Sequence, residues 1–240
     1  PAHALSPAER EAVLRVANRY RRKVVLTSTS EIYGKSERVP FAEDDDRLLG
    51  PTTRSRWSYA CSKAVDEFLA LAYAKERGLP VAIARLFNTI GPRQTGRYGM
   101  VVPRFVAQAL AGEPLTVYGD GRQTRCFADV RDVVRGLARL AECSEAESEV
   151  FNLGSTREIS IAELARLVIA VTGSRSQIVF MPYEEAYEAG FEDMQRRVPD
   201  VTRAARVLGW RAETALEETL RAVAEYAVAR RRGAEGAGAR

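Results

Sequence analysis

Arg56-Trp57-Ser58-Tyr59-Ala60-Cys61-Ser62-Lys63, continued by Ala64-Val65-Asp66-Glu67-Phe68-Leu69-Ala70-Leu71-Ala72-Tyr73, has the apolar spacing of a helix. It lies between two runs with the character of buried strands. The first, Lys23-Val24-Val25-Leu26-Thr27-Ser28-Thr29, is β-rich and ends in small hydroxylated residues. Such an ending suits the C-terminal end of a parallel strand where a ligand is met. The second, Val81-Ala82-Ile83-Ala84-Arg85-Leu86-Phe87, leads into Asn88 and Gly91-Pro92, while Gly78 and Pro80 stop the helix near Arg77. Strand, helix and strand at this spacing make a βαβ unit, so the fold is α/β with a parallel, doubly wound sheet.

Working outward, residues 8–20 read as an amphipathic helix introduced by Ser6-Pro7. Residues 35–56, with Asp44-Asp45-Asp46 and Gly50-Pro51, read as a loop. A helix is expected over 102–111, a strand over Leu115–Tyr118 and a tight turn at Gly119-Asp120-Gly121. Val130–Glu142 is helical and Val150–Leu153 a strand. Ser160–Val171 is a helix capped at Ser160, with Glu163 three residues on. Ile178–Met181 is a short strand, and Thr202–Leu208 and Ala215–Arg230 are helices. Gly233–Arg240 is small-residue-rich and is expected to be disordered.

A chain of 240 residues can bury a sizeable core, and its 46% hydrophobic and 28% charged content are those of a globular protein. The net charge of +4 is concentrated in Arg230-Arg231-Arg232 and Arg21-Arg22-Lys23. Neither run is interleaved with aromatics, which speaks for solvated surface or a small anionic ligand and against nucleic acid. Cys61, Cys126 and Cys143 lack metal-ligand spacing and His3 is the single histidine, so no metal is expected and a reduced, cytoplasmic setting fits. No run approaches the roughly 18 apolar residues of a membrane span, so no membrane partner is expected.

Tyr59 and Lys63 are four apart and share one face of their helix. A phenol titrates at about pH 10 and is a poor base at neutrality, but a nearby ammonium stabilises the phenolate. Such a pair can move a proton on a substrate hydroxyl, as the oxidation of an alcohol by hydride transfer requires. The alternative is a half-exposed helix face without chemistry.

Four further motifs accompany the pair in order: Thr27-Ser28-Thr29-Ser30-Glu31-Ile32-Tyr33-Gly34, Arg85-Leu86-Phe87-Asn88 with Gly91-Pro92-Arg93, Val117-Tyr118-Gly119-Asp120-Gly121-x-x-x-Arg125, and Gly190-Phe191-x-Asp193-x-x-x-Arg197-x-Pro199. Over about residues 10–225 the chain resembles the extended short-chain dehydrogenases/reductases, the NAD-dependent epimerases and dehydratases of nucleotide sugars. Its UDP-glucuronate decarboxylase branch is the most similar. The resemblance implies a partial Rossmann-type sheet in residues 1–95, continued by about 126–160. A smaller α/β substrate domain mainly in 96–230 and a tail over 231–240 would follow. The family opens with a strand and a Gly-x-x-Gly-x-x-Gly turn whose helix N-terminus holds the dinucleotide pyrophosphate. Here the one Gly cluster, Gly233-Ala234-Glu235-Gly236-Ala237-Gly238, follows no strand, so the chain is expected to correspond to the C-terminal two thirds of such an enzyme.

The same resemblance implies NAD as cofactor and a UDP-sugar as substrate. It also implies a homodimer formed through the Tyr59 helix and its neighbour, for which residues 64–74 are suitably apolar. Tyr59 would take the proton from the sugar 4'-hydroxyl, Lys63 would bond the nicotinamide ribose, and Ser28 and Thr29 would touch nicotinamide or the sugar hydroxyl. The resulting 4-keto sugar can lose CO2, eliminate water or be reduced on its other face. Family dehydratases carry Thr-Asp-Glu at the strand end; Thr29-Ser30-Glu31 lacks the acid and is similar to the decarboxylases. There Glu31 would stand near the sugar carboxylate and Ser30 would protonate the enolate. Asn88, Arg104, Arg125 and Arg197 would hold the diphosphate, Asp200 would orient an arginine or bond ribose, and Tyr118 and Phe191 would line the uracil pocket. A UDP-sugar 4-epimerase and a non-catalytic nucleotide-sugar-binding remnant are the alternatives.

Overall fold

The computed structural model describes residues 7–95, 100–186 and 194–237. In chain order it contains α1 (Pro7–Arg19), β1 (Val24–Thr29), a 3-10 turn (Ser30–Tyr33), α2 (Arg56–Arg77), β2 (Val81–Leu86), β3 (Thr89–Ile90), α3 (Val101–Ala111), β4 (Leu115–Tyr118), β5 (Thr124–Cys126) and β6 (Ala128–Asp129). There follow α4 (Val130–Glu142), β7 (Glu149–Leu153), β8 (Glu158–Ser160), α5 (Ile161–Thr172), β9 (Ile178–Met181), α6 (Tyr183–Ala186), α7 (Thr202–Leu208) and α8 (Leu216–Ala237). The chain divides into two compact units, the first built from residues up to Phe87 with Val133–Thr156 and Arg197–Ala212, the second from Asn88–Asp132, Arg157–Arg196 and Glu213 onward.

The first unit is a parallel sheet in the order β1-β2-β7, with Val24 opposite Val81 and Leu86 opposite Leu153. β2 sits in the middle and alternates its side chains between two cores. Val81 and Ile83 pack with Leu14 of α1 and Ala70 of α2. Ala82 and Ala84 pack on the other face with Phe151, Leu140 and Trp210. Both faces of the sheet are covered, which is why β1 and β2 read as continuous apolar runs. Residues 197–212, which the sequence reading placed with the substrate part, belong to this first unit and close its second core through Ala204, Leu208 and Trp210.

In the second unit β4 pairs parallel with β9, β3 parallel with β6, and β5 antiparallel with β8. Phe105 of α3, Leu164 and Val168 of α5 and Leu220 of α8 form its core with Leu115 and Val117. Ser160 and Glu163 make both arms of a capping box at the start of α5. α8 runs to Ala237 rather than giving way to a tail at 231. Alanine, arginine and glutamate are strong helix formers, and two glycines do not outweigh them.

Candidate active site

In the first unit the site is built on the end of β1. The turn Ser30–Tyr33 closes at Gly34, whose φ is +63° and where a Cβ would lie 2.2 Å from the carbonyl oxygen of Leu48. Glycine alone fits there. Beneath the turn lies a buried polar cluster. Arg85 donates to Glu67 (2.8 Å), to the Tyr33 hydroxyl (2.9 Å) and to the Glu43 carbonyl (2.7 Å). The Tyr33 hydroxyl donates to Asn152 Oδ1 at 2.7 Å, and Asn152 N–H donates to the Glu43 carboxylate at 2.8 Å. Burial outweighs the Arg85 charge and pushes the Tyr33 phenol up to about 12, so Tyr33 stays neutral and serves as scaffold. The Thr29 hydroxyl accepts the Glu31 N–H at 3.3 Å, which sets the direction of the turn.

Tyr59 lies in the first turns of α2 with 47% of its surface exposed. Its phenol is held above the ordinary value, first by burial, then by the charge of Glu31, with Asp66 adding to both and a hydrogen bond with Thr29 working the other way. The sequence predicts the opposite direction through Lys63. Burial and the Glu31 charge prevail, and the Lys63 ammonium is 3.5 Å from Asp66 Oδ2, while Arg10 of α1 holds Oδ1 of the same buried carboxylate. Lys63 is thereby tied to an anion on its own helix, three residues on.

Glu31 is gripped from two sides. Arg197 Nη2 is 2.8 Å from Oε1, and Arg56 Nη2 is 3.3 Å from Oε2. The Arg197 side chain, expected among the diphosphate donors, is 7% exposed and binds this carboxylate. Arg56 was missed; its signal is its place three residues before Tyr59, on the same helical face. Ser30 is buried, and the Asp200 carboxylate, expected to bond ribose or an arginine, accepts the N–H of Thr202, the first residue of α7, at 2.8 Å.

Ser28, at the end of β1, is 4% exposed, and its buried hydroxyl has no hydrogen-bond partner among the described residues. An orphaned hydroxyl beside Thr29 fits a ligand amide such as nicotinamide. The residues present therefore suit the nicotinamide end of NAD.

The second unit holds the other expected residues. The Arg104 guanidinium lies 3.9 Å from the centre of the Tyr118 ring, and its Nε and Nη1 are buried without a hydrogen-bond partner among the described residues. Two unspent donors on a ring-stacked fork suit an anionic ligand. Asn88 Nδ2 donates to the Cys126 carbonyl at 3.1 Å, and buried Arg125 donates to the Thr124 carbonyl at 2.8 Å. Both tie down backbone. Phe191 lies outside the described residues. Among the described residues no group of side chains could hold a metal ion, and no helix is long and apolar enough to cross a membrane.

A phenol against a strand-end threonine, an ammonium one turn on and a carboxylate between two guanidiniums can move a proton on a hydroxyl held beside a charged group. The family model described as GDP-mannose 4,6 dehydratase matches residues 10–223. The chain is 44% identical over 216 residues to a UDP-N-acetyl-alpha-D-glucosaminuronate decarboxylase of Bacillus cytotoxicus, covering 89% of this chain and 66% of that one. It is 41% identical over 214 residues to UDP-glucuronic acid decarboxylase 1 of Xenopus tropicalis, covering 89% of this chain and 49% of the relative. The chain thus spans about half to two thirds of the length of these relatives. Among solved structures it is similar to a UDP-glucose 4-epimerase of Thermotoga maritima with UDP-glucose (30% identity, TM-score 0.80, 91% of this chain and 67% of that one). It is also similar to the Bacillus cereus UDP-glucuronic acid 4-epimerase in complex with UDP-glucuronic acid and NAD (26% identity, TM-score 0.79, 91% and 66%). The chain belongs to the nucleotide-sugar epimerase/dehydratase family of extended short-chain dehydrogenases/reductases, with its likeness running to the decarboxylase branch.

Proposed function

We propose that the protein containing this chain is an NAD-dependent decarboxylase of a UDP-linked uronic acid, acting as a homodimer in a reducing, cytoplasmic setting. The observation that carries the reading is Glu31 beside Tyr59, gripped by Arg56 and Arg197. A site built of these charged groups suits a charged sugar substituent better than a neutral hexose.

Tyr59, in its phenolate form, accepts the proton of the sugar 4'-hydroxyl, with the Thr29 hydroxyl bonded to its oxygen. When bound, NAD+ supplies the hydride acceptor that makes this alcohol oxidisable. Lys63, anchored by Asp66, and the Ser28 hydroxyl hold the nicotinamide end. The 4-keto uronate is a β-keto acid. Its C5–C6 bond breaks, CO2 leaves, and the bonding electrons pass into an enolate that takes a proton at C5, for which Ser30 is the candidate donor. Arg56 and Arg197 are already engaged by Glu31, so they hold the substrate carboxylate without stabilising it against loss. Arg104, Arg125 and Asn88 are the candidates for the diphosphate, and Tyr118 and Phe191 for the uracil.

The test is incubation of the full natural protein with UDP-glucuronate and NAD+. Release of CO2 with a UDP-pentose or its 4-keto precursor is expected. UDP-galacturonate without CO2 would make the protein a 4-epimerase, a reading favoured by its likeness to the UDP-glucuronic acid 4-epimerase. UDP binding without turnover would make it a non-catalytic binder.

A further inference from the structure

Arg56 opens α2 one turn ahead of Tyr59 and reaches back to the turn that follows β1, where it meets Glu31 Oε2 at 3.3 Å. Its guanidinium also lies 5.7 Å from the ring centre of Trp57, an indole buried so closely against Gly50 that a Cβ there would lie 2.2 Å from the indole nitrogen. Arg56 is thus fixed at its base by a rigid neighbour and at its tip by the carboxylate. Arg197 takes the other Glu31 oxygen but comes from a separate loop, so it neutralises Glu31 without joining α2 to β1.

We infer that Arg56 is a positioning residue for the Tyr59 base: it locks the first turn of α2 to the Glu31 turn and neutralises a carboxylate that opposes the phenolate. The inference rests on the reading of Tyr59 as the base. The groups facing the phenol come from every side. Glu31 stands on the turn after β1 with Arg197 behind it, Thr29 stands at the end of β1, and Lys63 and Asp66 lie on α2 with Arg10 of α1 bound to Asp66. Of these, Glu31 is the anion whose charge reaches Tyr59 most strongly, and Arg56 is the cation on Tyr59's own helix that meets it. Without Arg56 the Glu31 charge is less screened, a cation is lost one turn from the phenol, and both changes raise its titration point.

The test is the ultraviolet titration of the Tyr59 phenol in the full natural protein, taken as the difference from Tyr59→Phe. It needs no substrate, so a wrong substrate assignment leaves it standing. Arg56→Gln should move the titration up by about half to one pH unit. In turnover, kcat at neutral pH should fall by up to about tenfold while KM for the UDP-sugar changes less than about twofold. The double variant R56Q/E31Q should return the titration to the wild-type position or below it. An unmoved titration in Arg56→Gln, or a rise in KM with kcat unchanged, overturns the inference. Should Arg56→Gln fail to fold, Arg56→Lys keeps the charge and loses the fork. An unmoved titration with a lower kcat then supports the locking role, and a wild-type kcat overturns it.

Discussion

At Tyr59 burial and the Glu31 charge work against ionisation, and the Thr29 hydrogen bond works for it. Tyr59→Phe removes the proton acceptor and keeps the ring, so kcat should fall about 10²–10⁴-fold with substrate affinity little changed. Retention of more than about half the turnover would show that the base is elsewhere. Glu31→Gln removes an anion that raises the phenol, so the ascending limb of the pH profile of kcat/KM should shift to lower pH. The same variant should slow CO2 release more than it weakens binding, because the carboxylate that repels the substrate's own is gone. An unmoved limb would show that the two groups are not coupled. Tyr59, Lys63, Thr29 and Glu31 were legible as candidates because each belongs to a short motif with fixed spacing. The direction of the Tyr59 shift was not, because it is set first by burial and then by the charge of Glu31, and both arise only where the turn after β1 packs against α2. Arg197 illustrates the same limit: its motif marks it as a site residue, but pairing with Glu31 is a tertiary fact.

Among the elements, several were legible to the residue, as β4 (Leu115–Tyr118), α4 and α7 show. The strands that were not foreseen, β3, β5, β6 and β8, have two or three residues each, too few for an alternation to register. They are held by contacts from outside themselves. β5 and β8 are joined by the Thr124 hydroxyl on Glu158, and Glu158 in turn takes both arms of Arg196 at 2.8 Å. The Arg196 bonds, with help from Thr124, hold the Glu158 carboxyl at about 2, against an ordinary value of 4.5. A depressed carboxyl contributes stability that is present above the unfolded value and is lost as the pH falls toward the folded one. Chemical denaturation should therefore show stability declining between about pH 4.5 and 2, and Glu158→Gln should flatten that decline. In the first unit the buried Arg85–Glu67 pair beneath the Glu31 turn is the sensitive point. Glu67→Gln leaves a buried guanidinium short of its counter-charge and should cost about 3–5 kcal/mol in urea unfolding, whereas a loss below about 1 kcal/mol would show that Tyr33 and the Glu43 carbonyl suffice for Arg85.

At the scale of the whole molecule, some of the exposed apolar residues form stripes on two helices of the first unit. On α1 Val13 and Val16, with Tyr20 just beyond, stand more than half exposed at a spacing of three and four. On α2 Cys61, Val65 and Phe68 follow the same spacing, and Phe68 is 59% exposed beneath the guanidinium of Arg47. The two helices pack against each other in the first unit. Stripes of that kind are buried economically against a second copy of the chain, each stripe meeting its twofold mate in a four-helix arrangement. This supports the homodimer, and it bears on the chemistry because α2 also carries Arg56, Tyr59 and Lys63. Phe68→Glu places a charge in that contact and leaves both cores of the unit intact, since Phe68 belongs to neither. Light scattering on the full natural protein should give twice the chain mass for the wild type and the single-chain mass for Phe68→Glu, with the melting temperature of the isolated chain little changed. A wild type that remains monomeric at micromolar concentration would remove the dimer from the proposal. A variant that stays dimeric would move the contact to another face.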